Sequence, residues 1–452
     1  MSGKRKSLIQ LFIPICLETL LYMLAGMVDT LMLSSVSDQA VGAVGTANTY
    51  IGMFIIMFSV ISSGMMAVMT QNIGAQRYGV AYQAKNIGVI FNAALGIILS
   101  AFLFIFAGSI FDIVGIADLL REDAVIYMKI VGGCSIFNAL IPIFSGYLRA
   151  FGYTKQPLIA TIGANVLNLV LNAVFIYAFE MGVAGVAIAT SVSKVVNLLI
   201  VVVAAHRLVK AKDDPNRLPT RQIFKQIILI GFPSALESAI YNLAMTVMIK
   251  FMNQMDPEGF NVTARSYAQQ ITNFALSAGA ALAQANAIMT GWRIGAGEFD
   301  ECDKGTKKAA IIGITVAVAL EGLFAIFAGP IMKLFSDDPE MVKLVRILLT
   351  IDIVLEVGRI TNLVFGQALK TSGDAIFPVI IAAIFMWLCA VGGTYFFGIR
   401  MEMLAIGAYI GLTLDECVRA LAMFLRWQSG RWRHTKLVKS VRNTHSQKLI
   451  GS

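Results

Sequence analysis

Apolar runs long enough to cross a lipid bilayer, about 20 residues or more, recur from one end of this chain almost to the other. Twelve can be counted, starting near residues 8, 41, 84, 123, 156, 182, 223, 262, 304, 340, 374 and 402. Hydrocarbon offers no hydrogen-bond partner to a backbone amide, so such runs survive there only as helices that satisfy themselves. The expected fold is therefore an all-α polytopic membrane protein with twelve transmembrane helices. A soluble protein with buried helices would need far more charge to cover its surface than the 14% found beside 57% hydrophobic residues, with a mean hydropathy of +0.75.

Composition also bounds function. No G-x-x-x-x-G-K-[ST] phosphate loop occurs, so the chain carries no ATPase of its own, and work done by it must draw on an ion gradient. Neither an enzyme nor a bound cofactor is expected. Cys16, Cys134, Cys302, Cys389 and Cys417 are odd in number and lack metal-ligand spacing, which marks them as small core residues. The net charge of +9 is topological. Lys and Arg gather in alternate connections: Lys4, Arg5 and Lys6; Arg77 and Lys85; Arg149 and Lys155; the segment from Arg207 to Lys225; Arg293 to Lys308; Lys370; and the tail from Arg426. The intervening connections hold Asp112, Asp118, Glu122 and Asp123, then Asp256 and Glu258, then Asp337, Asp338 and Glu340. By the positive-inside rule both termini lie in the cytoplasm. The lipid bilayer is the expected partner, nucleic acid is not, and a monomer suffices. The basic, apolar start resembles a signal peptide, but its length and the lack of a small-residue cleavage site make it the first helix.

The chain is duplicated. Pro14-x-x-x-Glu18-x-x-x-Tyr22 returns as Pro233-x-x-x-Glu237-x-x-x-Tyr241, 219 residues later. Gly74-Ala75 is echoed by Gly295-Ala296, and GYLRAFGYTKQP (146–157) by QALKTSGDAIFP (367–378), which aligns Arg149 with Lys370. Each half carries six spans, so both enter the membrane in the same direction, and a pseudo-twofold axis along the membrane normal should relate two six-helix lobes. The expected units are an N-terminal lobe over 1–206, a cytoplasmic linker over 207–222, a C-terminal lobe over 223–427 and a basic cytoplasmic tail over 428–452.

These motifs resemble the multidrug and toxic compound extrusion (MATE) family. The resemblance rests on Pro14 with Val28-Asp29-Thr30, on Gln71-Asn72-Ile73-Gly74-Ala75, on Leu148-Arg149-Ala150-Phe151-Gly152, and on Gly182 to Thr190. It continues with Pro233 and Glu237 and with Ala368 to Asp374, so all twelve spans are covered. It implies a bacterial multi-pass protein of the cytoplasmic membrane, with a V-shaped cleft between its lobes. It also implies export of amphiphilic organic, mostly cationic, compounds in exchange for H⁺ or Na⁺ by alternating access. Other readings are export of a specific metabolite such as a flavin, and flipping of a lipid-linked precursor.

The residues that could carry such coupling lie inside the spans. Pro14, Glu18, Tyr22 and Asp29 share one stripe of the first helix, since eleven residues turn through about 1,100°. A lipid-facing carboxylate is costly, so the stripe should face other helices. There a carboxylate can take up a proton or Na⁺ and so release a cationic substrate. The resemblance assigns cation binding in the second half to Glu237, so any Na⁺ would sit near Glu237 or Asp29. It also makes Pro14, and by repetition Pro233, a hinge. Asp29 aligns with Met248, so the halves are not equivalent. The fifth helix carries Asn165, Asn168 and Asn172, amides able to order a carboxylate. One branch of the family has an aspartate at the position of Asn172, and the amide here points to the NorM-like branch. The tenth helix carries Asp352, Glu356, Arg359 and Asn362, and Arg359 stands where the family has an acidic ligand. Glu356 and Arg359, at i and i+3, can pair directly, or Arg359 can attract an anionic substrate group. Asp415, Glu416 and Arg419 of the last helix follow the same spacing and are read as structural.

Overall fold

The computed structural model describes residues 6–211, 214–256, 258–333, 335–435 and 437. Lys4, Arg5, Lys212 and most of the basic tail lie outside the described residues. Among the described residues the chain is helical, with no strand. It divides into two compact units, Met1–Gly231 and Phe232–Ser452.

The first unit holds α1 (Leu8–Ser34), α2 (Asp38–Gly74), α3 (Tyr78–Val114), α4 (Asp118–Gly132 continued by Ser135–Ala150), α5 (Lys155–Ala178) and α6 (Gly182–Leu208). It also holds the linker and the first turns of α7 (Thr220–Met255). The rest of α7 opens the second unit, followed by α8 (Phe260–Ala296), α9 (Phe299–Ile326), α10 (Pro339–Ser372), α11 (Ile376–Arg400) and α12 (Leu404–Gln428). Eight of these are long and apolar enough to cross a membrane, and α4, bent by 42° at Gly133 and Cys134, makes a ninth. The three that fall short, α8, α10 and α12, carry buried charge: Arg265; Asp352, Glu356 and Arg359; Asp415, Glu416 and Arg419. Their polarity is turned inward, where a charge can be partnered.

The repeat read in the sequence is visible in local geometry. Gly152 follows the end of α4 with φ +83°, and Gly373 ends α10 with φ +107°. Only a residue without Cβ takes up that left-handed cap readily. Each unit also has a large apolar cluster that joins several of its helices. In the first, Leu33, Ala43, Ala47, Leu103, Phe111, Met128 and Val186 are buried together. In the second, Ala244, Met248, Met252, Ile271, Leu348 and Ala408 are. Alanine is the commonest residue in both, as expected where helices pack without a hydrophobic drive from water.

Close helix crossings fix the site-bearing segments. A Cβ on Gly64 would fall 2.0 Å from the Ile227 carbonyl oxygen, and one on Gly231 would fall 1.7 Å from that of Val60. The backbones of α2 and α7 therefore touch, two residues before Pro233. In the second unit a Cβ on Gly358 would lie 2.8 Å from the Cys417 nitrogen, so α10 and α12 also meet backbone to backbone.

Candidate functional site

Pro14, Glu18 and Asp29 of the α1 stripe face neighbouring helices of their own unit, as the cost of burying charge requires, whereas Tyr22 is exposed. Pro14 and Glu18 are buried and Asp29 is half-buried. Pro14 has no N–H, which removes the usual intrahelical donor to the Gln10 carbonyl. The Thr154 hydroxyl donates to that carbonyl instead, at 3.4 Å. One turn on, Glu18 Oε1 is held by Arg149 Nη2 at 2.7 Å, which ties α1 to the end of α4. Asn197 of α6 donates to the Tyr22 hydroxyl at 3.4 Å.

The amides of α5 form a ladder along α1. Asn165 Nδ2 donates to the Leu21 carbonyl at 2.9 Å. Asn172 Nδ2 donates to Asp29 Oδ1 at 2.6 Å and to Asn168 Oδ1 at 3.3 Å. Asn172 is fully buried and Asn168 nearly so. Immediately beyond Asn172, α5 widens to a π-helical turn over Val174–Ala178, a local distortion that frequently marks functional positions. Among the described residues no Lys or Arg lies within ion-pair distance of Asp29, although Lys194 of α6 is near enough to interact electrostatically. Asp29 is thus the carboxylate of the stripe with an amide, not a cation, as its partner.

In the second unit Lys370 Nζ lies 2.7 Å from Glu237 Oε2. This is the repeat image of Arg149 on Glu18. Both basic residues were counted among the alternating basic connections, yet each turns inward onto a carboxylate. Lys85, counted the same way, is buried in α3 with its ammonium 4.5 Å from the Tyr82 ring and under 6 Å from those of Phe144 and Tyr147. Met248, the counterpart of Asp29, is completely buried in the apolar core. Tyr241 packs half-buried against that core.

Glu356, Arg359 and Asn362 of α10 form one network with Asp415, Glu416 and Arg419 of α12. Arg359 pairs with Glu356 and lies 3.8 Å from Glu416. Asn362 donates to Glu416 Oε2 at 3.0 Å. Arg419 grips Asp415 at 3.0 and 2.6 Å and Glu416 at 2.8 Å. The backbone contact at Gly358 brings α10 and α12 close enough for this network to form. Sequence reasoning did not single out Glu321 of α9, which is fully buried close to Asp352 and Glu356. Its signal was a lone carboxylate in the apolar run VAVALEGLFAI.

The arrangement is that of a multi-pass α-helical membrane protein with ionisable groups partnered between its helices. Residues 14–174 and 233–396 match the model of the MatE family, and the two matched stretches begin on Pro14 and Pro233. The chain is 34% identical over 437 residues to the uncharacterized transporter YisQ of Bacillus subtilis (strain 168), covering 95% of this chain and 96% of that protein. It is 25% identical over 441 residues to a probable multidrug resistance protein NorM of Thermotoga maritima, covering 95% and 93%. The crystal structure of a MATE protein in the straight conformation matches with a TM-score of 0.86 at 22% identity, over 95% of this chain and 96% of that one. A bent conformation matches with a TM-score of 0.85 over 95% of each chain. The chain belongs to the MATE family of multidrug and toxic compound transporters.

Proposed function

We propose that this chain is a secondary antiporter that exports amphiphilic organic cations in exchange for H⁺ or Na⁺ by alternating access, acting as a monomer in the bacterial cytoplasmic membrane with both termini in the cytoplasm. The observation that carries this reading is the contrast along α1. Glu18 is neutralised by Arg149 at 2.7 Å, whereas among the described residues Asp29 is hydrogen-bonded by the Asn172 amide at 2.6 Å and has no Lys or Arg within ion-pair distance. A half-buried carboxylate without a cationic partner can hold a substrate cation in one state and an ion in the other. That exchange is coupling in its simplest form. The available work is adequate, at about 1.4 kcal/mol per pH unit for one proton and about 2.3 kcal/mol per 100 mV for one charge.

The carboxylates Glu18 and Glu237 already have basic partners on other helices, Arg149 and Lys370, so they serve to hold the helices in register. Pro14 and Pro233 are the hinges about which α1 and α7 bend. The pairing of Arg359 with Glu356 and Glu416 favours organic cations over anionic metabolites or lipid-linked precursors, because its guanidinium is already shared between carboxylates. The positive-inside pattern supports the orientation.

The test is efflux of a cationic dye from vesicles under separate pH and Na⁺ gradients, comparing wild type, Asp29→Asn and Arg359→Ala. Asp29→Asn should abolish gradient-driven efflux and weaken binding of the cationic dye. Wild-type efflux by Asp29→Asn would sink the proposal. Export of an anionic dye that Arg359→Ala alone removes would transfer the assignment to metabolite export.

A further inference from the structure

We infer that Glu321, Asp352 and Glu356 form a binding site for a desolvated hard metal cation inside the second unit, separate from Asp29 and from the Glu237–Lys370 pair. The inference does not depend on antiport, because it concerns binding to the protein at rest.

The three carboxylates come from α9 and α10, with exposures of 0%, 2% and 0%. One oxygen from each lies within 4.8 Å of those from the other two. Glu321 is the independent sign that something is bound here. Its side chain is wholly buried, and among the described residues neither of its oxygens has a hydrogen-bond partner. Asp352 Oδ2 and Glu356 Oε2 are likewise without one. A buried carboxylate oxygen lacking a donor is expensive, and more so between membrane helices.

The local cations do not resolve this. Arg359 is shared between Glu356 and Glu416. Arg419 is taken by Asp415 and Glu416. Arg265, the third buried guanidinium of the unit, points an Nη2 at the Met245 sulfur. Among the described residues of the unit, Asp374 pairs with Arg426, and the other five buried carboxylates (Glu321, Asp352, Glu356, Asp415 and Glu416) face three buried guanidiniums, which leaves two negative charges over. A cation bridging the triad supplies both the missing charge and the missing partners. The donors are oxygens alone, which selects Na⁺, Mg²⁺ or Ca²⁺ over softer metals.

The triad is also a feature of one half of the duplication. At the repeat offsets of 219 to 221 residues, Glu321 maps onto Ser100, Ala101 or Phe102, and Asp352 onto Val131, Gly132 or Gly133. Glu356 maps onto Ser135, Ile136 or Phe137. No carboxylate occurs at any of these positions, so the ligand set does not belong to the scaffold that both halves share.

The experiment is equilibrium binding of ²²Na⁺, ⁴⁵Ca²⁺ and Mg²⁺, each alone, to the purified full-length protein in detergent at neutral pH, after dialysis against a chelator. Thermal unfolding is followed in parallel, with choline chloride as the ionic-strength control. One of the three cations should bind at one per chain and raise the unfolding temperature above that in choline. Glu321→Gln should weaken it by at least ~10-fold, the scale at which even outer-shell changes act on metal affinity. Asp214→Asn, in the linker of the first unit, should leave it unchanged. If Glu321→Gln does not fold, Asp352→Asn takes its place, and the wild-type binding measurement stands without either. The proposal is overturned if none of the cations binds at one per chain, which would mean that protons alone neutralise the triad. Equal binding by wild type and Glu321→Gln would overturn it as well.

Discussion

Lys370 holds Glu237 at 2.7 Å in the second unit, the same distance at which Arg149 holds Glu18 in the first. Each pair joins the middle of a proline-bearing helix to the end of a helix three further along the chain. The duplication therefore preserved an ion pair as well as a fold, while exchanging the guanidinium for an ammonium. At Asp29 and Met248 the same alignment joins a carboxylate to an apolar core residue.

Breaking either pair should destabilise the protein more than removing both partners, because a lone buried charge costs more than the pair contributes. Arg149→Gln strips the guanidinium from Glu18, whose side chain is only 3% exposed, and should cost about 3–5 kcal/mol. Adding Glu18→Gln to it should restore part of that loss. The effect of Lys370→Gln should be smaller, since the Glu237 side chain is 20% exposed. Denaturation of wild type, Arg149→Gln, Glu18→Gln and the double variant in detergent, treated as a double-mutant cycle, measures the coupling.

Asn172→Leu should impair transport without unfolding the protein. It removes the donor to Asp29 and the link to Asn168 together, at about 1–3 kcal/mol for the orphaned groups. Normal size-exclusion behaviour with a substantial fall in dye efflux is the expected result. Wild-type efflux would mean that the amide only packs helices.

Gly358→Val should loosen α12 from α10. The added carbons fall against backbone atoms of Glu416 and Cys417, at 2.9 and 2.8 Å for Cβ itself, and backbone cannot move aside as a flexible side chain would. The expected loss is about 1–3 kcal/mol or more, seen as a lower unfolding temperature. Cys417→Ala should remain near wild type, because Gly358 meets the backbone at that position and not the thiol.

The linker should be released by acid. Asp214 accepts hydrogen bonds from the Gly79 N–H at 2.9 Å and from the Asn216 backbone and side chain at 2.9 and 2.8 Å. Burial alone would raise its pKa, but these bonds outweigh it and hold the carboxyl below its ordinary range. Since the folded value is depressed, the stabilisation is complete above the unfolded value of about 3.9. It is lost as pH falls through the folded value. Limited proteolysis between residues 207 and 220 should stay slow at pH 5 to 7 and accelerate below about pH 4. Asp214→Asn should be cleaved faster than wild type at neutral pH and show less of this dependence.

Much of the architecture was legible in the residue order because hydropathy and repetition are local. A run of about 20 apolar residues means the same thing wherever it packs, and the left-handed caps at Gly152 and Gly373 follow from the residues themselves. The spacing of Glu356 and Arg359 likewise disclosed their pairing, since both lie on one helix. What the sequence could not disclose is which face of each helix meets which neighbour. Arg149 and Lys370 counted as loop charges until the rotation of α4 and α10 aimed them at Glu18 and Glu237. Glu321 looked like a lone carboxylate in an apolar run until α9 packed against α10 and brought it to Asp352 and Glu356. Charge in a low-dielectric interior takes its meaning from partners a few ångströms away. Across helices, tertiary packing alone determines that distance.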